Sequence, residues 1–332
     1  MNNEYEAISS VMLGHAVADA LGVPVEFNSR ESLKTSPVLN MRGFGTHDMP
    51  AGTFSDDTSM SIAALDAIKG GELDYLAVMR NFSDWCFSAK YTATGETFDI
   101  GGTCYRAISD FVSSGAVSAF GHGETGEFSC GNGGLMRIHP FSLYAYYTTD
   151  DIVERLKIIH DATALTHAHP RCIVGSGIYS IILWELLDGG GKEAITRGAE
   201  QALGIYSKKS KLFPSSIVNE TEHFIRIFEA LSIEDGAFEI QESEIRSTGY
   251  VVDTLEAALW SVMTTKDYRS AVLRAVNLGS DTDTVGAVTG GIAGALYGSG
   301  GIPREWLSEL IGKEHIESMC LEFARNVTRQ QP

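Results

Sequence analysis

Two short acidic segments, about 225 positions apart, combine hydroxyl and carboxylate side chains at the starts of predicted helices. Helix N-capping explains either segment alone, because Ser, Thr and Asp are common cap residues. Mg²⁺ prefers carboxylate, hydroxyl and water oxygens, and a bound cation relieves the repulsion between neighbouring carboxylates. Two such segments together therefore predict a cage for one or two metal ions. The residues concerned are Ser55, Asp56, Asp57, Asp281, Asp283 and Thr284.

A glycine cluster at residues 131–134 is a second candidate for chemistry. Consecutive backbone N–H groups without side chains can wrap a phosphate, although a glycine cluster is also typical of a plain turn. No Gly-Lys-Ser/Thr follows, which excludes a Walker motif. The pair His167 and His169 could ligate a transition metal, but no third ligand is near in sequence. We therefore expect a hydrogen-bonding or aromatic role for one histidine and a surface or capping role for the other.

The run that follows the second acidic segment has small residues at helical spacing. A bare stripe along the helix predicted there is formed by Gly286 or Ala287, Gly290, Gly294 and Gly298. Glycine inside a helix costs about 1 kcal/mol relative to alanine. The stripe therefore predicts that another helix packs against this one, backbone to backbone.

Helical periodicity recurs along the chain, whereas convincing strand signals are absent. This pattern predicts an all-α fold. If the two acidic segments share one site, the chain forms a single domain over residues 1–332. Residues 29–50 are predicted to be irregular and 235–249 to be a polar connection. Helices are predicted over 6–21, 57–68, 73–88, 104–113, 150–163, 172–187, 193–203, 222–231, 253–264, 270–277, 287–297, 305–311 and 315–327.

Composition limits the function classes. The formal net charge of −18 disfavours general nucleic-acid binding, because such a surface repels phosphate backbones. No uninterrupted apolar run of about 18 residues occurs, so we expect no membrane span. The five cysteines are scattered without a CxxC pair, which argues against a disulfide framework and fits a cytoplasmic protein.

Five sequence blocks resemble the ADP-ribosylglycohydrolase family, the DraG-like and ARH-type hydrolases. Two positions depart from the usual pattern: Ala18 stands where the family usually has Gly, and Ser55 replaces a common Thr while keeping the hydroxyl. The blocks are residues 18–27, 55–58, 131–137, 166–170 and 279–284, and they cover most of the chain in order.

The resemblance implies an orthogonal helical bundle with a binuclear Mg²⁺ centre, in which Mn²⁺ can substitute. It makes the six cap residues the metal ligands, and it brings Glu26, otherwise a plain surface glutamate, towards the metals and the scissile bond. Glu26, Asp56 and Asp57 are all left as candidates for the catalytic base. The substrate-binding residues that it implies are Ser129, Gly131, Asn132, Gly133, Gly134, Met136 and His167.

The activity that the resemblance implies is removal of ADP-ribose from a modified protein side chain, with ADP-ribose as product. We favour ADP-ribosyl-arginine as substrate. Alternatives are serine-linked or other ADP-ribose conjugates, a crystallin-like member without activity, and a Mg²⁺-dependent nucleotide phosphohydrolase.

Overall fold

The computed structural model describes residues 2–232, 238 and 240–327. Among these residues, β-type pairing is limited to three isolated bridges, Phe44–Met49, Glu124–His167 and Gly131–Tyr250. The all-α prediction is confirmed. The helices are α1 (Asn2–Gly22), α2 (Arg30–Thr35), α3 (Asp56–Ile68), α4 (Tyr75–Ser88), α5 (Gly102–Ser113), α6 (His139–Thr148), α7 (Ile152–Ala164), α8 (Pro170–Leu187), α9 (Glu193–Ile205), α10 (Ser215–Val218), α11 (Ile225–Leu231), α12 (Val251–Met263), α13 (Tyr268–Val276), α14 (Thr282–Tyr297), α15 (Arg304–Glu309) and α16 (Lys313–Val327).

The packing of α1 against α14 is the centre of the fold. Residues 8–26 and 282–294 are all buried. A Cβ added at Gly290 would lie 2.2 Å from the carbonyl oxygen of Gly14, and one at Gly294 would lie 2.1 Å from that of Ser10. The two backbones are therefore in direct contact, as the small-residue stripe predicted. Gly298 does not belong to this contact: it ends α14 with φ of 69°, and no atom lies within 4 Å of its Cβ position.

The remaining helices surround this pair and share one connected core that extends from Ile8 to Val327. Helices α12 and α13 pack on α14, α16 packs on α1, and α8 packs on α7, α9 and α14. Two segments, Asn3–Val25 and Pro170–Leu187, have the length and apolar character of a membrane span, but 100% and 83% of their most apolar windows are buried inside the fold. Burial of this extent is typical of central helices in a packed core.

Three helices were not predicted from the sequence: α2, α6 and the four-residue α10. Helix α2 interrupts the segment expected to be irregular, and it is capped by Ser29, whose Oγ accepts from the backbone N–H of Ser32. Helix α6 begins His139-Pro140 and is buried along most of its length, so its sequence shows no polar face. The polar connection predicted over 235–249 lies partly outside the described residues, and its described part includes a short turn, Glu242–Glu244.

Candidate metal centre and substrate cleft

The first acidic segment begins α3, and a residue from α1 caps it. The Asp19 carboxylate accepts hydrogen bonds from the backbone N–H groups of Ser55 (2.9 Å) and Thr58 (3.0 Å) and from the Thr58 hydroxyl (2.6 Å). Ser55 Oγ donates to Asp57 Oδ2 at 3.0 Å. Asp19 and the N-cap residue Ser55 together accept from the backbone N–H groups of Ser55, Asp57 and Thr58, so the carboxylates of Asp56 and Asp57 are not needed for capping.

The second acidic segment begins α14 beside the end of α1. The carbonyl oxygen of Gly22 accepts from the Thr282 hydroxyl at 2.8 Å, and a Cβ at Gly22 would lie 2.3 Å from Asp283 Cα. Only glycine permits this approach. Asp281 is the N-cap residue of α14, yet its side chain makes no capping hydrogen bond; instead it accepts from Asn132 Nδ2 at 2.8 Å. Ordinary capping therefore does not explain Asp281.

The two segments meet, although they lie far apart in sequence. Thr284 Oγ1 donates to Asp57 Oδ2 at 3.2 Å. Carboxylate oxygens of Asp19, Asp57 and Asp283 lie within 4.8 Å of one another, and the same holds for Glu26, Asp281 and Asp283. Three buried oxygens of this cluster have no hydrogen-bond partner among the described residues: Asp57 Oδ1, Asp281 Oδ1 and Asp283 Oδ2. The cluster is thus rich in hard oxygen donors that the protein leaves unused.

Burial controls the charge of this cluster. It raises the pKa of Asp57 and Asp283 well above the usual range, and neighbouring carboxylates raise it further. Burial likewise raises the pKa of Asp56 and Asp281, and that of Glu26 to about 8. The raised pKa values favour the protonated forms of these carboxyl groups, so a divalent ion that bound them would compete with protons.

A cavity of about 380 Å³ opens above the cluster. Four carboxylates line it, from Glu26, Asp56, Asp99 and Asp281. Ser55, Asp57 and Asp283 are not part of the lining and lie behind it. The other lining residues are Phe27, Ile100, Gly101, Gly102, Thr103, Cys104, Gly131, Asn132, Gly133, Met136, His167, Gly249 and Thr284.

Glu26 is held at the cavity by the segment that precedes α3. It is 5% exposed, and its Oε2 lies 2.5 Å from His47 Nε2. The Thr46 hydroxyl donates to the Glu26 carbonyl oxygen at 2.6 Å. On the other side, the backbone N–H of Phe27 donates to Ser280 O at 2.7 Å, which ties this loop to the start of α14. The interpretation of Glu26 as a plain surface residue is therefore wrong.

The glycine loop packs against His167. A Cβ at Gly133 would lie 2.7 Å from His167 Cε1, and one at Gly134 would lie 2.8 Å from Thr163 Cγ2. Glycine at both positions lets the loop approach the ring closely. Asn132 uses its two amide hydrogens on Asp281 and Thr254, so its side chain supports the carboxylate cluster.

Ser129 and Met136 were both predicted to bind substrate, but only one of them lies at the cavity. Ser129 does not line this cavity, and its hydroxyl donates to Gly126 O at 2.6 Å. Met136 does line it. The two histidines have separate roles, as predicted. His167 is 2% exposed at the cavity wall, whereas His169 caps α8 by accepting from the backbone N–H of Arg171 at 3.1 Å.

Comparison with known proteins gives the family. The sequence model described as ADP-ribosylglycohydrolase matches residues 1–332. The chain belongs to the ADP-ribosylglycohydrolase family. It is 32% identical over 312 residues to the ADP-ribosylarginine hydrolase Tri1 of Serratia proteamaculans, over 93% of this chain and 76% of that protein. It is 29% identical over 301 residues to the ADP-ribosyl-[dinitrogen reductase] glycohydrolase of Rhodospirillum rubrum, over 90% and 88% of the two chains.

A solved structure described as an ADP-ribosylglycohydrolase-related protein complex superimposes with a TM-score of 0.78 at 29% identity, covering 98% of this chain and 100% of that chain. Like the other ADP-ribosylglycohydrolases, the protein is a glycohydrolase that acts on ADP-ribosylated substrates.

Three residues of this ADP-ribosylglycohydrolase site were missed from the sequence. Asp19 was quoted within a matching block but given no role, although it holds the start of α3. His47 and Asp99 lie in loops without helical periodicity, where a single polar residue carries little signal. Asp99 has φ of 54°, a left-handed conformation that Asp adopts more readily than most residues and that also occurs at functional sites. That signal is in the backbone and is absent from the sequence.

Proposed function

We propose that the protein hydrolyses the N-glycosidic bond of ADP-ribosyl-arginine, using two divalent cations, Mg²⁺ or Mn²⁺. The observation that carries this proposal is the meeting of two acidic helix starts around three unpartnered, buried carboxylate oxygens. A buried polar atom without a partner costs about 1–3 kcal/mol, and more when charged. A folded chain keeps several such atoms together only where something else satisfies them.

The residues fit hard divalent ions. The six proposed ligands all offer carboxylate or hydroxyl oxygens, which suit Mg²⁺ and Mn²⁺ better than softer metals. The cavity also needs positive charge, since four carboxylates line it and the diphosphate of the substrate is an anion. The proposed ligands are Ser55, Asp56, Asp57, Asp281, Asp283 and Thr284, with Asp19 supporting them from behind.

When bound, two such ions orient the sugar and lower the pKa of an attacking water. The chain's own groups must then move the protons. Water adds to the anomeric carbon of the ribose, the bond from that carbon to the arginine nitrogen breaks, and one proton passes from the water to a carboxylate while another reaches the leaving guanidine. Glu26 and Asp56 line the cavity, whereas Asp57 lies behind it. We therefore favour Glu26 or Asp56 for proton transfer over Asp57.

The environment of Glu26 allows its carboxyl group both to hold and to release a proton. Burial raises its pKa to about 8, and His47 beside it can share the proton at 2.5 Å. A pKa near the working pH favours general acid–base catalysis.

The charge of the cavity wall supports an arginine-linked substrate. The guanidinium of the bound substrate carries positive charge, and Asp99 extends the carboxylate lining beyond the proposed ligands. A serine hydroxyl would gain nothing from that charge. The name of the Serratia relative, an ADP-ribosylarginine hydrolase, also favours arginine.

The test is product analysis on matched ADP-ribosyl-arginine and ADP-ribosyl-serine peptides, with Mg²⁺ or with a chelator. We expect free ADP-ribose from the arginine peptide only in the presence of Mg²⁺. AMP as product would instead indicate a phosphohydrolase, and preferential release from the serine peptide would contradict the assigned linkage.

Variants test the ligand set. Asp57→Asn and Asp281→Asn should each lose most of the activity together with Mg²⁺ binding. Asp84→Asn, at an ion pair whose two side chains are both about half exposed, is the matched control and should retain both. Full activity of Asp57→Asn in chelator would overturn the metal mechanism.

A further inference from the structure

Arg137, which follows the glycine loop, is a buried cation without a carboxylate partner. Its side chain is 0% exposed, and it forms no ion pair with any residue that the structure describes. Its guanidinium donates to Ala162 O (3.2 Å) and to Thr166 Oγ1 (2.6 Å), and it lies 4.7 Å from the ring centroid of Phe82. Burial lowers the pKa of Arg137 to about 10, which leaves it charged at neutral pH. Since an unpaired buried charge is costly, its position calls for an explanation.

Thr166 connects this charge to the cavity. Arginine can only donate, so one lone pair of the Thr166 hydroxyl is occupied by Arg137. The hydroxyl hydrogen remains free, and His167 Nδ1 lies 2.9 Å from the same oxygen. The Cys104 thiol is also beside Thr166, but a thiol accepts hydrogen bonds only weakly. The hydroxyl is therefore placed to donate to Nδ1.

The electrostatics favour the same orientation. A cation close to Nδ1 stabilises a lone pair on that nitrogen and repels an N–H hydrogen there. Burial, reinforced by Arg137, lowers the pKa of His167 to about 3, so the ring is neutral and carries one hydrogen. With Nδ1 accepting, that hydrogen is on Nε2.

His167 Nε2 faces the glycine loop. A Cβ at Gly131 would lie 3.5 Å from it, and Nε2 makes no hydrogen bond with any described residue. The ring lines the substrate cavity.

We propose that Arg137 and Thr166 are positioning residues that fix the neutral tautomer of His167, so that its Nε2–H is a hydrogen-bond donor for an acceptor oxygen of the ligand. The ligand half of this inference rests on the proposed function. The oxygen belongs to the phosphate or ribose groups of an ADP-ribose unit. A neutral donor suits a group that must also release the product, because it binds an anion less tightly than a charged one.

The ring nitrogens report the tautomer directly. Long-range ¹H–¹⁵N correlation spectra of ¹⁵N-labelled, ligand-free protein, with His167→Gln used for assignment, should show His167 protonated on Nε2 and unprotonated on Nδ1. In Thr166→Val, which keeps the shape and removes the hydroxyl, the ratio of the two tautomers should shift about fivefold towards Nδ1–H, the equivalent of one ordinary hydrogen bond. Thr166→Ser should restore the wild-type spectrum.

Thr163→Val is the matched control. Thr163 is a buried threonine three residues before Thr166, and its hydroxyl donates only to Ile159 O. It is not part of the hydrogen-bonded chain of Arg137, Thr166 and His167, so the His167 spectrum should not change. A wild-type ring protonated on Nδ1, or a Thr166→Val spectrum identical to that of the wild type, would overturn the proposed role of this hydrogen-bonded chain. The wild-type spectrum decides the question even where a variant folds poorly.

Binding of ADP-ribose in Mg²⁺ buffer, measured by calorimetry, tests the ligand half. Thr166→Val should weaken the affinity about fivefold, while Thr166→Ser and Thr163→Val should bind like the wild type. Equal affinity in Thr166→Val would refute the donor role. If the wild type failed to bind ADP-ribose at all, the proposed function would fail, and the ring spectrum would still decide the tautomer.

Discussion

Gly290→Ala tests whether the contact between α1 and α14 holds the acidic helix starts together. An added methyl group at this position would lie 2.2 Å from Gly14 O and 2.5 Å from Ala18 Cβ. Two carbons in contact are normally about 3.5–4.0 Å apart, so the helices must separate locally by roughly 1 Å. No flexible side chain can move aside, because the obstructing atoms belong to the backbone and to one Cβ.

The expected magnitude follows from two opposing effects. Overpacking a well-packed core typically costs about 1–3 kcal/mol, occasionally more. Because the surroundings here are rigid, we expect a cost near the upper end of that range. Replacing glycine by alanine inside a helix stabilises the helix by about 1 kcal/mol. We therefore expect the free energy of unfolding to fall by about 2 kcal/mol. Gly204→Ala in α9 is the matched control: no atom lies within 4 Å of its Cβ position, so the same substitution should stabilise the protein by about 0.5–1 kcal/mol.

Urea unfolding, followed by circular dichroism in chelator, measures both variants. The midpoint should fall for Gly290→Ala and rise for Gly204→Ala, with little change in slope. Because the start of α14 carries Asp283, Mg²⁺ affinity should also fall in Gly290→Ala and stay constant in Gly204→Ala. If Gly290→Ala were as stable as the wild type while Gly204→Ala gained stability, the backbone contact would not be as close as described.

Three further predictions concern the metal centre and the core. Thr284→Val removes the hydroxyl that reaches Asp57 and should weaken Mg²⁺ binding tenfold or more, whereas Thr284→Ser should restore it. Mg²⁺ should raise the melting temperature more at pH 8 than at pH 6, because burial raises the pKa of the cluster carboxyls and protons compete with the metal. Burial lowers the pKa of His160 to about 4, so its contribution to stability is complete above pH 6.5 and is lost as the pH falls towards 4. The difference in unfolding free energy between wild type and His160→Gln should therefore shrink by about 2 kcal/mol between pH 7 and pH 5.

A specific result would contradict each of these three predictions. Unchanged Mg²⁺ affinity in Thr284→Val would remove the hydroxyl from the proposed ligands. Equal stabilisation by Mg²⁺ at both pH values would show that no protons leave on binding. A constant difference between wild type and His160→Gln across the pH range would mean that the ring, 2.8 Å from the Tyr206 hydroxyl, is not held neutral.

The sequence predicted the parts of the site that combine residue type with helical position. The residues at the starts of α3 and α14 stood out because carboxylates and hydroxyls occur together there, and the glycine stripe predicted how α14 packs. The strand-free pattern predicted the fold class. These signals are local, and each one repeats along a helix or at its start.

The residues that escaped prediction owe their roles to tertiary contacts. His47 matters because it reaches Glu26 from a loop, and Asp99 because a left-handed backbone turn brings it to the cavity. Asn132, which the resemblance assigned to substrate binding, lines the cavity, and its two amide hydrogens are used on Thr254 and Asp281. Helix α6 lacks a polar face because both sides are covered, so amphipathic periodicity could not indicate it.

The pairing of α1 with α14 also has a consequence for biosynthesis. Gly22 and its partner Thr282 are 260 residues apart. At translation rates of about 5–20 residues per second, α1 waits roughly 13–50 s for the helix that covers it. During that interval its apolar surface is exposed on the nascent chain, where chaperones would recognise it. A ribosome-bound intermediate that ends before residue 282 should therefore bind such holdases and remain sensitive to protease, and release of the full chain should end both properties.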